Sequence, residues 1–260
     1  MHVSADRLNL SDNAIQRTFE QTCVAWQAIP HWDIGDPGAT RVRSDTVNPP
    51  GSPTSLKFTD REKPSDLALA QIAAPTPDSM IATAVAAATA LATDVDATVI
   101  TALLTDPIDD LELAGTDPQN IMKTLIAGRA KLEDGGFRAP SCLLTNTKGY
   151  QDLSAFSGSY PVTDLVLAAA NVNSLHRCSQ LDLVAGKAAM VMLGRRQRIA
   201  HGAAAEASCG EEPVDLAVRV MPSLEVIGAK AAAEIEAVVR ISFATRVTDN
   251  TGVVTLHEGP

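Results

Sequence analysis

TPDSMIATAVAAATALATDVDATVITALL, residues 76–104, is the longest stretch of uniform periodicity in the chain, and the architecture follows from it. Thr76 can cap a helix, Pro77 sits where a missing N–H costs nothing, and Asp78 puts negative charge in the first turn. Ile81, Val85, Ala88, Ala92, Val95, Val99 and Ala102 recur at steps of three and four, which predicts one shared apolar face. Thr105, Asp106 and Pro107 stop the pattern. The expected helix has roughly 28 residues and is about 40 Å long, well beyond the usual three or four turns. Its alanine-rich surface lets neighbours approach closely. An enzyme domain of this size rarely needs such a rod, whereas an extended, plate-like subunit does.

The 260 residues suffice for one large or two smaller domains with an adequate core. Only 3% are aromatic, so that core must be built from Ala, Val, Leu and Ile, and stacking platforms for single-stranded nucleic acid are not expected. The net charge of −10 argues against nucleic-acid grip as the main activity. An acidic container for nucleic acid stays compatible, because like charge keeps a polyanion from adhering. Cys23, Cys142, Cys178 and Cys209 form no C-x-x-C pair and read as reduced thiols of a cytosol. MHVSADRLNLSDNAIQ lacks an apolar signal region, and no charge-free stretch is long enough to span a bilayer, so a soluble protein without membrane partner is expected.

Elsewhere the signals are shorter. Ile15, Phe19, Cys23, Trp26 and Ile29 predict an amphipathic helix over Asp12–Ile29, capped by Ser11 and ended by Pro30, in an otherwise extended arm. Prolines 30, 37, 49, 50, 53, 64 and 75 crowd the next region. Arg41-Val42-Arg43 and Leu56-Lys57-Phe58-Thr59 flank the breaker VNPPGSP, which predicts a long two-stranded ribbon that projects and packs on another subunit. Asp117 and Pro118 open a helix to about Asp134, closed by Gly135-Gly136. A buried strand Ser141–Thr145 and a helix capped by Asn146 or Thr147 follow, making a compact α/β unit. Asp164–Ala170 reads as helix and Met190–Leu193 as strand. In AEIEAVVRISFATRV, Ile235, Ala237, Val239, Ile241, Phe243, Thr245 and Val247 alternate with polar partners, a strand of about 40 Å. Asp249–Gly252 is expected to turn the chain so that Val253–Leu256 returns beside it. Strand and long helix match in length and are expected to lie together, with the α/β unit inserted between them.

A search for chemistry assigns no catalytic, cofactor-binding or metal residue. There is no G-x-S-x-G, Walker loop, G-x-G-x-x-G after a strand, or H-E-x-x-H. His2, His31, His176, His201 and His257 are scattered, and Asp94 and Asp96 point to different faces of one helix. Asp109-Asp110 and Glu211-Glu212 read as loop acids. Arg195, Arg196 and Arg198 could meet a phosphate or a partner, but without a glycine cradle they read as a solvated turn.

Three stretches carry a resemblance: the helix after APTPD; NIMKTLIAGRAKLEDGGFRAPSCLLTNTKGYQDLS; and EIEAVVRISFATRVTDNTGVVTL. LVAGKAAMVMLG adds a glycine before a late strand. In this order they resemble the Hong Kong 97-type fold of tailed-phage major capsid proteins and encapsulins, over most of residues 76–257. The resemblance implies an α+β chain with an N-terminal arm (1–34), an extended hairpin loop (35–75), a peripheral domain with long spine helix and long strands (76–112 and 214–260), and an inserted α/β axial domain (113–213). It implies a structural protein and not an enzyme: a major capsid protein self-assembling, as hexamers and pentamers, into an icosahedral shell around phage double-stranded DNA. Scaffold, portal and decoration proteins would be its partners, the host cytoplasm its place of assembly, and the virion capsid its location. No long N-terminal scaffolding segment is expected. Some relatives weld subunits by a Lys–Asn isopeptide, for which Lys57 or Lys63 with Asn250 is the candidate pairing. The alternatives are an encapsulin nanocompartment, a class that usually begins with a helix packed inside the shell, and a soluble α/β enzyme with an unrecognised site.

Overall fold

The computed structural model describes residues 3–46, 51, 53–105, 109–137, 141–157, 160–184, 186–196 and 212–259. The expected hairpin tip, Arg198 and Cys209 lie outside them. In chain order the elements are α1 (Ala5–Thr22), α2 (Val24–Ala28), β1 (His31–Asp33), β2 (Arg41–Arg43), β3 (Ser55–Lys57), β4 (Thr59–Pro64), β5 (Leu67–Ala68), α3 (Leu69–Ala73) and α4 (Asp78–Thr105). Then come β6 (Asp109–Leu113), α5 (Pro118–Asp134), β7 (Ser141–Thr145), α6 (Thr147–Leu153), β8 (Phe156–Ser157), β9 (Tyr160–Pro161), α7 (Thr163–Ala169) and β10 (Val172–Arg177). The chain closes with β11 (Ala189–Leu193), β12 (Val214–Ala231), β13 (Glu234–Val247) and β14 (Val253–Glu258).

The spine helix α4 has 28 residues, as its periodicity predicts. Its buried face is Met80, Ala84, Ala87, Ala88, Leu91, Ala92, Val95, Val99 and Leu103. Ile81, Val85 and Ala102 are only partly covered, so the face is rotated from the expected one. Rotation follows from the elements that pack on α4, chiefly α1 and then β13 and β4, with the alanines allowing close approach. By length and composition alone α4 is apolar enough to cross a bilayer, but half of its most apolar window is buried within the fold.

The N-terminal segment departs from expectation. Ser4, not Ser11, caps α1, accepting the Arg7 N–H, and residues from Ala5 onward are helical rather than extended. Ser11 is buried mid-helix. The helix stops at Cys23 because Asp96 of α4 takes up the next backbone N–H groups and starts α2 afresh. Ile15, Phe19, Cys23, Trp26 and Ile29 are all buried, as their spacing predicts. They pack on the chain's own spine.

The first sheet runs β1-β12-β13-β4, with β5 pairing the far end of β13. β12 and β13 form one antiparallel hairpin from Val214↔Val247 to Ala231↔Glu234. Of this hairpin only β13 shows in the sequence, because Pro222 and Gly228 disguise β12. β1 pairs β12 only at Leu216–Val218, so Pro222 sits on an open edge, where its missing N–H does no harm. Asp12 of α1 takes the Leu224 N–H at 2.8 Å and closes part of that edge. On β13 the predicted face is buried from Ile235 to Phe243. Beyond it Ala244 and Arg246 are buried as well, since the root of the β2–β3 hairpin covers the second face there.

The second sheet runs β10-β7-β11-β14-β6. Here the expected C-terminal hairpin is overturned. A 3₁₀ turn at Asn250–Gly252 leads β14 away from β13, into a slot antiparallel to β11 and parallel to β6. Asp109 and Asp110 are not loop acids but the start of β6. The slot suits VVTL, because Val253 enters the spine core while Val254 and Leu256 enter a second core. The same division runs through the sheet: Cys142, Leu144, Val191 and Leu193 face the spine, and Leu143, Met190 and Met192 face the other way. With both faces covered, the strands read as continuous apolar runs.

Local signals in this half hold. Asp117 accepts the N–H groups of Gln119 and Asn120, Pro118 begins α5, and Gly136 at φ 92° closes it with Phe137 N–H reaching Leu132 C=O. Asn146 caps α6 through the Gly149 N–H at 2.8 Å.

Candidate assembly surfaces

The β2–β3 hairpin is a two-stranded sheet of its own, joined by ladder to neither of the larger sheets. It has three residue pairs, Arg41↔Lys57, Val42↔Leu56 and Arg43↔Ser55, a shorter ribbon than the expected one. Residues 59–64, read as ribbon from sequence, instead form β4 on the edge of the first sheet, pairing β13. The outward side chains are satisfied locally. Arg41 Nε donates to Ser55 Oγ at 2.8 Å, and Arg43 binds Asp45, whose carboxyl that hydrogen bond holds below the usual carboxylate range. A ribbon of this size is marginal alone in water.

Its root is different. Arg246 and Asp215 form a buried two-point ion pair, with Nε to Oδ1 at 2.6 Å. Trp32 Nε1–H donates to the same carboxylate at 3.2 Å, and the Arg246 guanidinium lies over the Trp32 ring at 4.9 Å. Arg246 also donates to the Arg43 carbonyl at 2.9 Å, which ties β2 to the body. Arg219 does the same for the segment leading into β2, donating to Ala39 C=O at 3.0 Å and to Asp60 of β4 at 2.7 Å while covering Phe58. The hairpin is thus fixed where it leaves the body, while Arg41, Arg43, Ser55 and Lys57 on its strands are exposed. No local motif joins Asp215 to Arg246. What signal there was lay in Arg246 itself, a charge within a strongly alternating strand.

The candidate cross-link residues are not brought together by this chain. Lys57 is exposed on β3. Lys63 on β4 pairs with Asp94 of α4 at 2.6 Å. Asn250 lies in the turn before β14, lining a cavity of about 250 Å³ with Thr46, Leu103 and Val253. Among the described residues neither lysine hydrogen-bonds Asn250.

Other groups singled out from sequence take structural places. Arg195 is buried and donates to the Ala28 carbonyl, and Arg196 pairs with Asp249 and lies over Phe137 at 5.0 Å. The expected solvated turn is therefore wrong for Arg195, which is buried against Ala28, whereas Arg196 stays exposed while it pairs with Asp249. Cys23, Cys142 and Cys178 are buried free thiols. Burial pushes each thiol up, Cys178 to about 11, which leaves them protonated and unreactive at neutral pH. Burial, and then the Arg195 charge, push the His176 pKa down. His31 stacks on Trp26 at 3.7 Å, and His257 meets Asp110 at 2.9 Å. Asp94 and Asp96 diverge as expected, the first half-exposed and the second buried with its pKa raised by burial. Among the described residues no three His, Cys, Asp or Glu side chains converge on a metal-sized site.

Large apolar side chains are exposed in adjacent pairs: Leu183 with Val184 on one loop, and Val226 with Ile227 towards the far end of the β12–β13 hairpin. Scattered exposed apolar residues need no explanation.

No protein-family model and no curated protein matches the sequence. The fold is matched closely. A virus-like particle from Pyrococcus furiosus superposes with a TM-score of 0.72 at 15% identity, over 97% of this chain and 98% of that one. An encapsulin complex from Synechococcus elongatus gives 0.60 at 12% identity, over 88% and 84%. The capsid of Myoviridae phage XM1 gives 0.56 at 11% identity, over 93% and 92%. The chain has the Hong Kong 97-type capsid fold.

Proposed function

We propose that this chain is a structural subunit that assembles with copies of itself into a closed icosahedral shell. The observation that carries the reading is the β2–β3 hairpin, tied at its root by Arg246 and Arg219 and exposed along the outward side chains of both strands. An element anchored to its own chain at one end and exposed along its strands suits docking on a neighbour. Many copies of such a contact, each small, sum to a cooperative assembly, and closure requires the same chain to serve several heterologous contacts. The likeness to shell proteins supports this reading at the level of fold.

Within it, residues 1–34, 35–75, 76–112 with 214–260, and 113–213 serve as N-terminal segment, extended loop, peripheral domain and axial domain. Strand pairing adds β6 and β14 to the axial sheet. The shell's content is read first as phage double-stranded DNA, with the acidic chain as a non-adhesive wall and hexamers, pentamers, scaffold, portal and decoration proteins as partners. One observation favours a second reading, a shell around protein cargo: the N-terminus is a helix packed on the subunit's own spine and not an extended arm. Negative-stain microscopy of the purified protein tests assembly, with regular closed particles expected and small soluble oligomers contradicting it. Nuclease-treated particles then decide the content, nucleic acid for the first reading and a second protein for the other.

A further inference from the structure

We propose that α2 is a clamp between the two layers of the subunit, and that Asp96 and Arg195, gripping its opposite ends, fix the angle between spine helix and second sheet and thereby the curvature of the shell. The inference rests on the shell reading. α2 is five residues long and almost wholly buried, with Ala25, Trp26 and Ala28 facing the core. At its start, Asp96 of α4 accepts the Ala25 N–H at 2.8 Å, the Val24 N–H at 3.2 Å and the Cys23 thiol at 3.3 Å. At its end, Arg195, which follows β11 of the second sheet, donates to the Ala28 carbonyl. The charges match the helix dipole, acid at the N-terminus and base at the C-terminus. One comes from each layer, so α2 cannot keep both partners unless the layers hold one relative position.

Both charged groups are buried, 6% and 5% exposed, and burial of charge is costly even when it is hydrogen-bonded. An apolar pair would pack this seam with less penalty. What charges add over an apolar seam is direction: they bind only the ends of α2, whereas alanine and leucine surfaces slide. The chain then leads through His31, stacked on Trp26, into β1, which pairs with β12, so the clamp is continuous with the first sheet.

The test compares particles of the wild-type chain with Asp96→Ala, Arg195→Met and the rescue variant Arg195→Lys. Val99→Ala, which removes volume from the same core one turn along α4 from Asp96 but none of the clamp's hydrogen bonds, is the control. Wild-type and Val99→Ala shells should have one diameter. Asp96→Ala and Arg195→Met should lose it, giving mixed diameters or open sheets, and Arg195→Lys should recover it. Folded Asp96→Ala and Arg195→Met chains that build uniform wild-type shells would overturn the clamp, as would equal heterogeneity in Val99→Ala. For variants that do not fold, amide exchange in the wild-type shell decides. Val24 and Ala25 amides should be as protected as those of β7, and rapid exchange there overturns the proposal. A wild-type chain that builds no shell would sink the functional reading instead, a distinct outcome.

Discussion

The strand β7 and the hairpin β2–β3 are both short, and their surroundings could hardly differ more. Every residue of Ser141–Thr145 is buried, between a spine-facing core and a second core under α5, α6 and α7. In the hairpin, Arg41, Arg43, Ser55 and Lys57 are exposed and only Val42 and Leu56 are partly covered. β7 gains its stability from its own chain, whereas the hairpin takes its direction from that chain and, on the proposed shell reading, its packing from a neighbour. On that reading one chain carries a finished core and an unfinished edge, and the two should respond to mutation differently: folding for the first, assembly for the second.

The sharpest break of that comparison is deletion of Thr46–Ser55. It should abolish stable shells while the remaining chain keeps its thermal transition, read by electron microscopy beside circular dichroism. Intact particles of normal size would remove the distinction. Next in size is Asp215→Ala, which strands the buried Arg246 charge and should cost about 3–5 kcal/mol in urea unfolding, since the hairpin root belongs to the finished part. Leu143→Ala, wholly within the second core, should cost about 2–5 kcal/mol with assembly changed only through stability. Asp117→Ala removes a helix cap and should cost about 1 kcal/mol, visible as a small shift in unfolding midpoint. Lys63→Ala should cost under about 1 kcal/mol, because its pair with Asp94 is partly exposed. Boiled wild-type particles should run as free monomer on a denaturing gel; a ladder lost in Lys57→Ala or Lys63→Ala would instead establish the cross-link.

The fold was legible where a local pattern suffices. Asp117, Pro118 and Gly136 mark the ends of α5 because caps act within one turn. Ile235–Phe243 show their face because burial alternates along a single strand. The same alternation misled beyond Phe243, where a buried arginine stands on the supposedly outer face, its partner Asp215 on the neighbouring strand. The assembly surface was half legible: the charges of Arg41, Arg43 and Lys57 foretold an exposed ribbon, but not that Arg246 and Arg219 hold its base. The burial of Arg195 is hidden from the sequence for the same reason, since the Ala28 carbonyl it binds comes from a distant part of the chain.

By itself, then, the sequence determined the extent of α4 and α5 and the alternating face of β13 up to Phe243, because those are set by neighbours two to four residues away. Only the tertiary structure decided that β14 leaves β13 for the slot between β11 and β6, and that α1 lies on the spine. Val253–Leu256 carries no mark of its partner. Pairing is chosen by which gap offers two apolar faces at once, and such a gap exists only after the rest of the chain has closed around it.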